Sequence, residues 1–277
     1  MEVVWLTSAE AYEEHASALG DLFQRCFGRP INEPLWNRCY RENLVGPPVS
    51  VAVRQDGAFV AHHGSVSQSW IQNGERFDCR LLMSLMVDPA ARSTGAFTFM
   101  EQNYMPGLRE RGGENLLAFP NQQSFALHVG LLGWKRLDAD LFVTTPVVPG
   151  GYSPAEYALA DVPRSLEATN PAFWEWRAWA EFHGFRTADG GGFSLKVDSP
   201  TSVVIMECFG AVTAAEVSAA AANYGATEIK GLKETFLSAG FPAEGLTETG
   251  YQVRKCGIGD LDGLRGLGLS LYLGDVF

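Results

Sequence analysis

Nowhere does this chain run apolar for the roughly 18 residues that a membrane-crossing helix needs. Its start, MEVVWLTSAEAYEEH, is acidic where an export signal carries a basic segment, so no leader is expected. Cysteine is scarce and unpatterned: Cys26, Cys39, Cys79, Cys208 and Cys256 are odd in number and widely scattered. That spacing suits neither a disulfide framework nor a zinc site, and no metal is expected. Positive charge is in deficit, with 21 Lys and Arg against 32 Asp and Glu, a net charge of -11. Such a balance disfavours nucleic acid as a partner, since binding there rests on cationic surface that displaces counterions. The expected setting is a reducing cytoplasm, with no membrane and no nucleic acid. Two nucleotide signatures are also missing, a G-x-G-x-x-G after a strand and a Gly-Lys-Ser/Thr phosphate loop.

What is present reads as globular. The 277 residues are 46% hydrophobic and 19% charged, and at about 150 residues per domain they suggest two domains. Val3 to Leu6 reads as a strand, and from Ser8 apolar residues recur at helical spacing to Cys26, where Gly28 and Pro30 follow. A short helix spans about Pro34 to Glu42. Then SVAVRQ, AFVAHHGSVSQSWIQ and RFDCRLLMSLMV read as three antiparallel strands joined by the two-residue turns Asp56-Gly57 and Asn73-Gly74. A helix from about Thr94 to Arg111 carries Phe97, Met100, Tyr104 and Leu108 on one face. ENLLAFP is a strand, SFALHVGLL a helix closed by Gly133-Trp134, and DADLFVTTPVV a further strand. Residues 146–170, rich in proline and glycine, read as a linker.

The second half opens with PAFWEWRAWAEFHGF, read as an aromatic-rich helix whose Trp174, Trp176 and Trp179 are expected between the halves. VVIMECFG, TAAEVSAAAANYG, TEIKGL, KETFLSAGF and TGYQVRKCG then repeat the succession seen earlier: strand, helix, strand, helix closing on Gly-aromatic, strand. An internal duplication of fold is the expectation, with a first domain over 1–148 and a second over 149–277.

The segment VDPAARSTGAF stands where the long strand passes into the long helix. A helix N-terminus carries unpaired N–H groups and partial positive charge, which together suit an anion. Small residues at Ala91, Ser93, Thr94, Gly95 and Ala96 let a ligand approach the backbone, and Arg92 adds a cation suited to phosphate oxygens. This turn resembles the acyl-CoA diphosphate loop of the GNAT superfamily of N-acetyltransferases, which reads Arg/Gln-x-x-Gly-x-Gly/Ala after the fourth strand. Here it stands as Arg92-Ser93-Thr94-Gly95-Ala96-Phe97, with Phe97 in place of the last small residue. The resemblance continues through AFPNQQS and LLGWKRL, spans about residues 3 to 145, and makes the second half a degenerate repeat of the same kind. The closing LYLGDVF also resembles the Gly-Asp ending of such chains.

By that resemblance the fold is α/β (α+β), a mixed, mostly antiparallel sheet flanked by helices and followed by a second similar lobe. The fourth and fifth strands would splay around the pantetheine arm, and backbone groups of Leu85, Met86 and Val87 would pair with it. The N–H groups of Ser93, Thr94, Gly95, Ala96 and Phe97 would hold the diphosphate, and Asn121 and Ser124 would lie across the cleft. ECFGAVTAAEV in the second half has no arginine and no such turn, so one acyl-CoA per chain is expected.

Acyl transfer to an amine needs a proton acceptor, a polarised carbonyl and a proton for the leaving thiolate. Related proteins place an acidic residue in the fourth strand, where this chain has Met83-Ser84-Leu85, so Ser84 serves at most as a relay through water. His63 is the candidate base, the alternative being a histidine that only fills its strand, and His62 points to the opposite face. His128 falls near the family's general-acid tyrosine, in a helix one residue longer than the common form. The function expected is transfer of acetyl from acetyl-CoA to a primary amine of a small molecule such as an amino sugar. An aminoacyl or peptide-forming transferase and a non-catalytic acyl-CoA-binding protein are the alternatives, and a homodimer stays open.

Overall fold

The computed structural model describes residues 1–72, 75–111, 115–148, 156–157, 167–168 and 182–259. The Asn73-Gly74 turn, the three tryptophans after Pro171, most of the linker and the LYLGDVF ending lie outside them. No described helix is long and apolar enough to cross a membrane, and none of the five cysteines is in a disulfide.

Strand β1 (Glu2–Leu6) leads into α1 (Ala9–Glu14), whose N-cap Ser8 accepts from Ala11 N. The helical pattern read as continuous breaks at His15, and α2 (Ala16–Phe27) restarts there before Gly28 ends it at φ 71°. Helix α3 (Glu33–Tyr40) is capped by Asn32 and has Pro34 in its first turn, where the missing N–H costs nothing. Strands β2 (Ser50–Gln55), β3 (Ala58–Gln72) and β4 (Glu75–Val87) form the expected meander. Asp56 and Gly57 both have positive φ, as a two-residue hairpin turn requires. Helix α4 (Ala96–Glu110), β5 (Leu116–Ala118), α5 (Gln122–Ala126) with a π-helical extension over Leu127–Leu131, and β6 (Lys135–Pro146) complete the first half.

The second half differs from the sequence expectation at its start. Short β7 (Glu156–Tyr157) and β8 (Glu167–Ala168) precede β9 (Phe182–Arg186), so the end of the presumed aromatic helix is a strand. β9 pairs with β10 (Gly192–Ser199), whose alternation of Phe193, Leu195 and Val197 marks a half-buried strand. β11 (Ser202–Phe209), α6 (Ala214–Asn223), β12 (Glu228–Leu232), α7 (Lys233–Ser238) and β13 (Thr247–Ile258) follow in the expected order.

The thirteen strands among the described residues form one sheet, in which β13 lies between β5 and β6 and β6 lies between β13 and β12. The two halves thus exchange equivalent strands. β4 and β5 pair in parallel, as do β11 and β12, and each half receives the final strand of the other beside its short parallel strand. β6 and β13 pair antiparallel at the centre of this arrangement. The core falls into three clusters. One lies under α1 to α3, one under α4 on the opposite face of the same strands, and one fills the second half around Phe185, Phe193, Ile205 and Phe236.

Candidate active site

Parallel pairing of β4 with β5 covers only Arg80–Leu82 against Leu116–Ala118. Beyond Ala118 the chain reaches Phe119 and Pro120, and proline has no N–H with which to continue a ladder. β4 runs on five residues further to Val87. The two strands therefore part, and a cavity of about 310 Å³ lies between them, with Ser84 and Leu85 on one wall and Phe119 and Asn121 on the other. Phe23, Phe27 and Arg29, from α2 and the turn after it, close one side.

The free length of β4 contains a bulge. His62 pairs with Met86 and Gly64 with Met83, so His63 alone faces both Ser84 and Leu85. Ser84 takes up the extra residue at φ 53°, a left-handed conformation that costs a side-chain-bearing residue about 1–2 kcal/mol. Two groups hold it there. His62 Nδ1–H donates to the Ser84 carbonyl at 2.9 Å, and Tyr40 Oη donates to Ser84 Oγ at 2.9 Å. Gly64 makes room for this, because a Cβ there would run into the Tyr40 hydroxyl. Tyr12 lies 2.6 Å from Ser50 Oγ and 3.2 Å from His62 Nε2, and stacks on Tyr40 at 4.6 Å. Burial pushes both phenols up and holds His62 down to about 4. His62 is therefore a neutral prop beneath the bulge, on the face opposite His63.

Asp88 N–H donates to Val60 O, so the alternation of an antiparallel ladder turns the backbone groups of Val87 away from β3, toward the cleft. The Val87 carbonyl accepts from Arg92 Nε at 3.4 Å on that side. Leu85 shares the orientation, two residues earlier. Met86 does not: its backbone faces His62 on β3 and its side chain is buried, so of the three residues expected to pair with an arm, only Leu85 and Val87 present groups to one.

After β4, Asp88 caps a single 3-10 turn, Pro89–Ala91, and is itself held by Arg25 at 2.6 Å. The Ala90 N–H, and then Arg25, hold the Asp88 carboxyl below its ordinary range. Arg92, Ser93 and Thr94 are all exposed, and the Thr94 hydroxyl donates to Ala91 O at 2.8 Å. Gly95 is the N-cap of α4 at φ 79°, with no side chain to cap the helix. Since Phe99 N–H is the first to bond within the helix, to Gly95 O, those of Ala96, Phe97 and Thr98 are left without an intrahelical acceptor. A Cβ on Gly95 would meet nothing within 4 Å. The cap is open, polar and of positive sign, which fits a diphosphate.

Across the cavity, Asn121 caps α5 by accepting from Ser124 N at 2.9 Å and from Ser124 Oγ at 3.0 Å. The surplus residue of this helix is absorbed as a π-turn, in which Leu132 N–H reaches Leu127 O. That turn carries His128, whose Nδ1–H donates to Ser124 O at 2.6 Å. A carbonyl can only accept, so Nε2 bears the lone pair. It is buried with no partner among the described residues. Burial, and then His63, hold this imidazole down to about 4. The general-acid role expected of His128 is thereby corrected: at neutral pH its one ring proton is committed to Ser124 and none is left to give. It is an acceptor.

His63 lies on the cavity floor, 1% exposed, with its ring 5.8 Å from that of His128 and 4.9 Å from Tyr104. Its Nδ1 is 2.7 Å from Glu101 Oε1. Glu101 is a carboxylate on the buried face of α4, which sequence reasoning passed over because it scored that face for apolar residues. The signal was present: Glu101 falls four residues after Phe97 and three before Tyr104, inside the stripe.

No sequence profile of a known family matches the chain, and no characterised protein matches it by sequence. Solved structures do match in shape. A probable N-acyltransferase from Enterococcus faecalis V583 aligns over 94% of this chain and 73% of its own, with a TM-score of 0.63 at 11% identity. A GCN5-related N-acetyltransferase from Anabaena variabilis ATCC 29413 aligns over 92% and 72%, with a TM-score of 0.64 at 12% identity. Eis1 from Mycobacterium abscessus aligns over 93% and 73%, with a TM-score of 0.57 at 11% identity. The chain has the fold of the GCN5-related N-acetyltransferases, in a form of two strand-exchanged halves.

Proposed function

We infer that the protein is an acyl-CoA-dependent N-acyltransferase that moves acetyl from acetyl-CoA to a primary amine of a small molecule such as an amino sugar. The observation that carries this reading is the position of His63. It lies on the floor of the cavity between the parted strands, and β4, which forms one wall, runs on into the turn that opens α4. The diphosphate rests on the N–H groups of Ala96 to Thr98, with Arg92 beside it. The pantetheine arm follows Leu85 and Val87, and Asn121 and Ser124 line the far wall. The acceptor enters beside Phe23, Phe27 and Arg29.

The amine attacks the thioester carbonyl, the C–N bond forms and the C–S bond breaks. His63 takes the proton that the nitrogen loses and returns it to the departing sulfur, giving amide and free thiol. An outward N–H of β4 polarises the carbonyl oxygen as it gains charge. His128 stands beside His63, its ring 5.8 Å away, and closes that side of the cavity. Ser84 shapes the bulge, and its hydroxyl, which accepts from Tyr40, keeps its own hydrogen for at most a relay through water.

A panel of amino sugars, amino acids and polyamines, read by thiol release from acetyl-CoA, tests the reading. Release with at least one class is expected, together with a loss of about 10²–10⁴-fold in kcat in His63→Ala. An acetyl-CoA complex that releases no thiol with any amine would make this a binding protein instead.

A further inference from the structure

We propose that Glu101 is the positioning residue for His63: its carboxylate fixes the proton on Nδ1 and so turns the Nε2 lone pair to the acceptor. This rests on the acyltransferase reading and adds to it a residue that nothing in the sequence motif contains. Glu101 is 4% exposed, its Oε1 lies 2.7 Å from His63 Nδ1, and its Oε2 is buried with no partner among the described residues. A buried carboxylate with an unfilled oxygen is a costly way to pack a helix against a sheet, since an apolar residue of similar volume would serve stability as well or better. Its presence on this buried stripe is explained by what it does to the imidazole.

An ionised carboxylate can only accept, so the nitrogen facing it must carry hydrogen and the far nitrogen must be free. When His63 takes the proton of the amine, the same carboxylate stabilises the imidazolium through a charge-assisted hydrogen bond. The geometry also links the two ends of the site. Glu101 stands five residues after Ala96 on α4, about 7.5 Å along the axis, so one helix holds the diphosphate at its tip and the base from its second turn. His128 completes the arrangement from the other side. Its ring lies 5.8 Å from that of His63, and its Nε2, buried and without a partner among the described residues, is a second unprotonated nitrogen beside the base.

Nitrogen-15 spectra of His63 in the whole protein at pH 7 give a test that needs no substrate. Protonated Nδ1 and free Nε2 are expected; a neutral ring protonated on Nε2, or a ring protonated on both, would overturn the proposal. Kinetics supply the second arm. Glu101→Gln is expected to lower kcat by about 10²–10⁴-fold with little change in KM. Its stabilisation by acetyl-CoA should persist, and Glu101→Asp should recover part of the rate. A Gln variant within about threefold of the wild-type kcat would refute a positioning role. If the wild type releases no thiol from acetyl-CoA with any amine, the acyltransferase reading falls, and the spectra still decide the role of Glu101.

Discussion

Gly95 offers the sharpest perturbation of the open helix cap, and a pair of isosteric substitutions separates backbone strain from charge. At φ 79° any side chain costs up to about 1–2 kcal/mol, less for Asn and Asp, which tolerate the left-handed region. A Cβ would touch nothing in the protein, so packing adds no further penalty. For a chain of this size about 1 kcal/mol corresponds to roughly 2–4 °C in Tm. Gly95→Asn and Gly95→Asp should therefore both melt a few degrees below wild type. Asp should be at or slightly above Asn, because a negative charge at a helix start contributes about 0.3–1 kcal/mol. Ligand should reverse that order. At about 100 times Kd, acetyl-CoA stabilises the wild type by about 2.7 kcal/mol. A carboxylate about 4 Å from the diphosphate costs between about 1 and 4 kcal/mol per pair of charges. A tenfold loss of affinity would roughly halve the stabilisation, and a thousandfold loss would abolish it. Thermal melts with and without acetyl-CoA give the answer directly. Asn is expected to keep most of the shift and Asp to lose most of it; equal shifts in the two would refute the placement of the diphosphate at this cap.

Two further outcomes follow from the core and the topology. His62 and His128 are each held down to about 4 by burial, against about 6.5 unfolded, so the unfolded chain binds more protons between those values. Their stability contribution is complete above pH 6.5 and is lost as pH falls toward 4, at about 1.4 kcal/mol per pH unit for each; denaturant titrations from pH 7 to 4.5 should show the midpoint falling, and a flat profile would contradict their burial. Residues 1–148 expressed alone lack both β12 and β13, which leaves one edge of β5 bare and β6 without either of its partner strands, so this fragment should aggregate or fail to give a sharp melt. Addition of a peptide spanning Thr247–Ile258 should improve its solubility, and a soluble, cooperatively folded fragment without it would speak against the exchange.

Local signals carried much of this architecture. Asp56-Gly57 marks its hairpin because both residues adopt positive φ, and the small residues of RSTGA mark the exposed turn that ends in Gly95, the left-handed N-cap of α4. The surplus residue near His128 was visible as a length, and the π-turn is the physical form it takes. What escaped is non-local. The pairing of β13 with β5 and β6 joins segments more than a hundred residues apart in sequence, and no periodicity within either segment encodes its partner. Phe182–Arg186 carries aromatic residues that suit helix and strand alike, and only its pairing with β10 decides between them. Glu101 was legible as a spacing but not as a contact, because its meaning comes from His63 on a strand that packs against it from elsewhere in the chain.

The central claim is that β4, past its contact with β5, and the cap of α4 together hold an acyl-CoA. A crystal structure of the protein with coenzyme A addresses it most directly. The account predicts diphosphate oxygens within hydrogen-bond distance of the N–H groups of residues 96–98, and a pantetheine arm paired with Leu85 and Val87 that brings its sulfur toward His63. A nucleotide bound elsewhere, or an arm that bypasses the strands' parting, would contradict it.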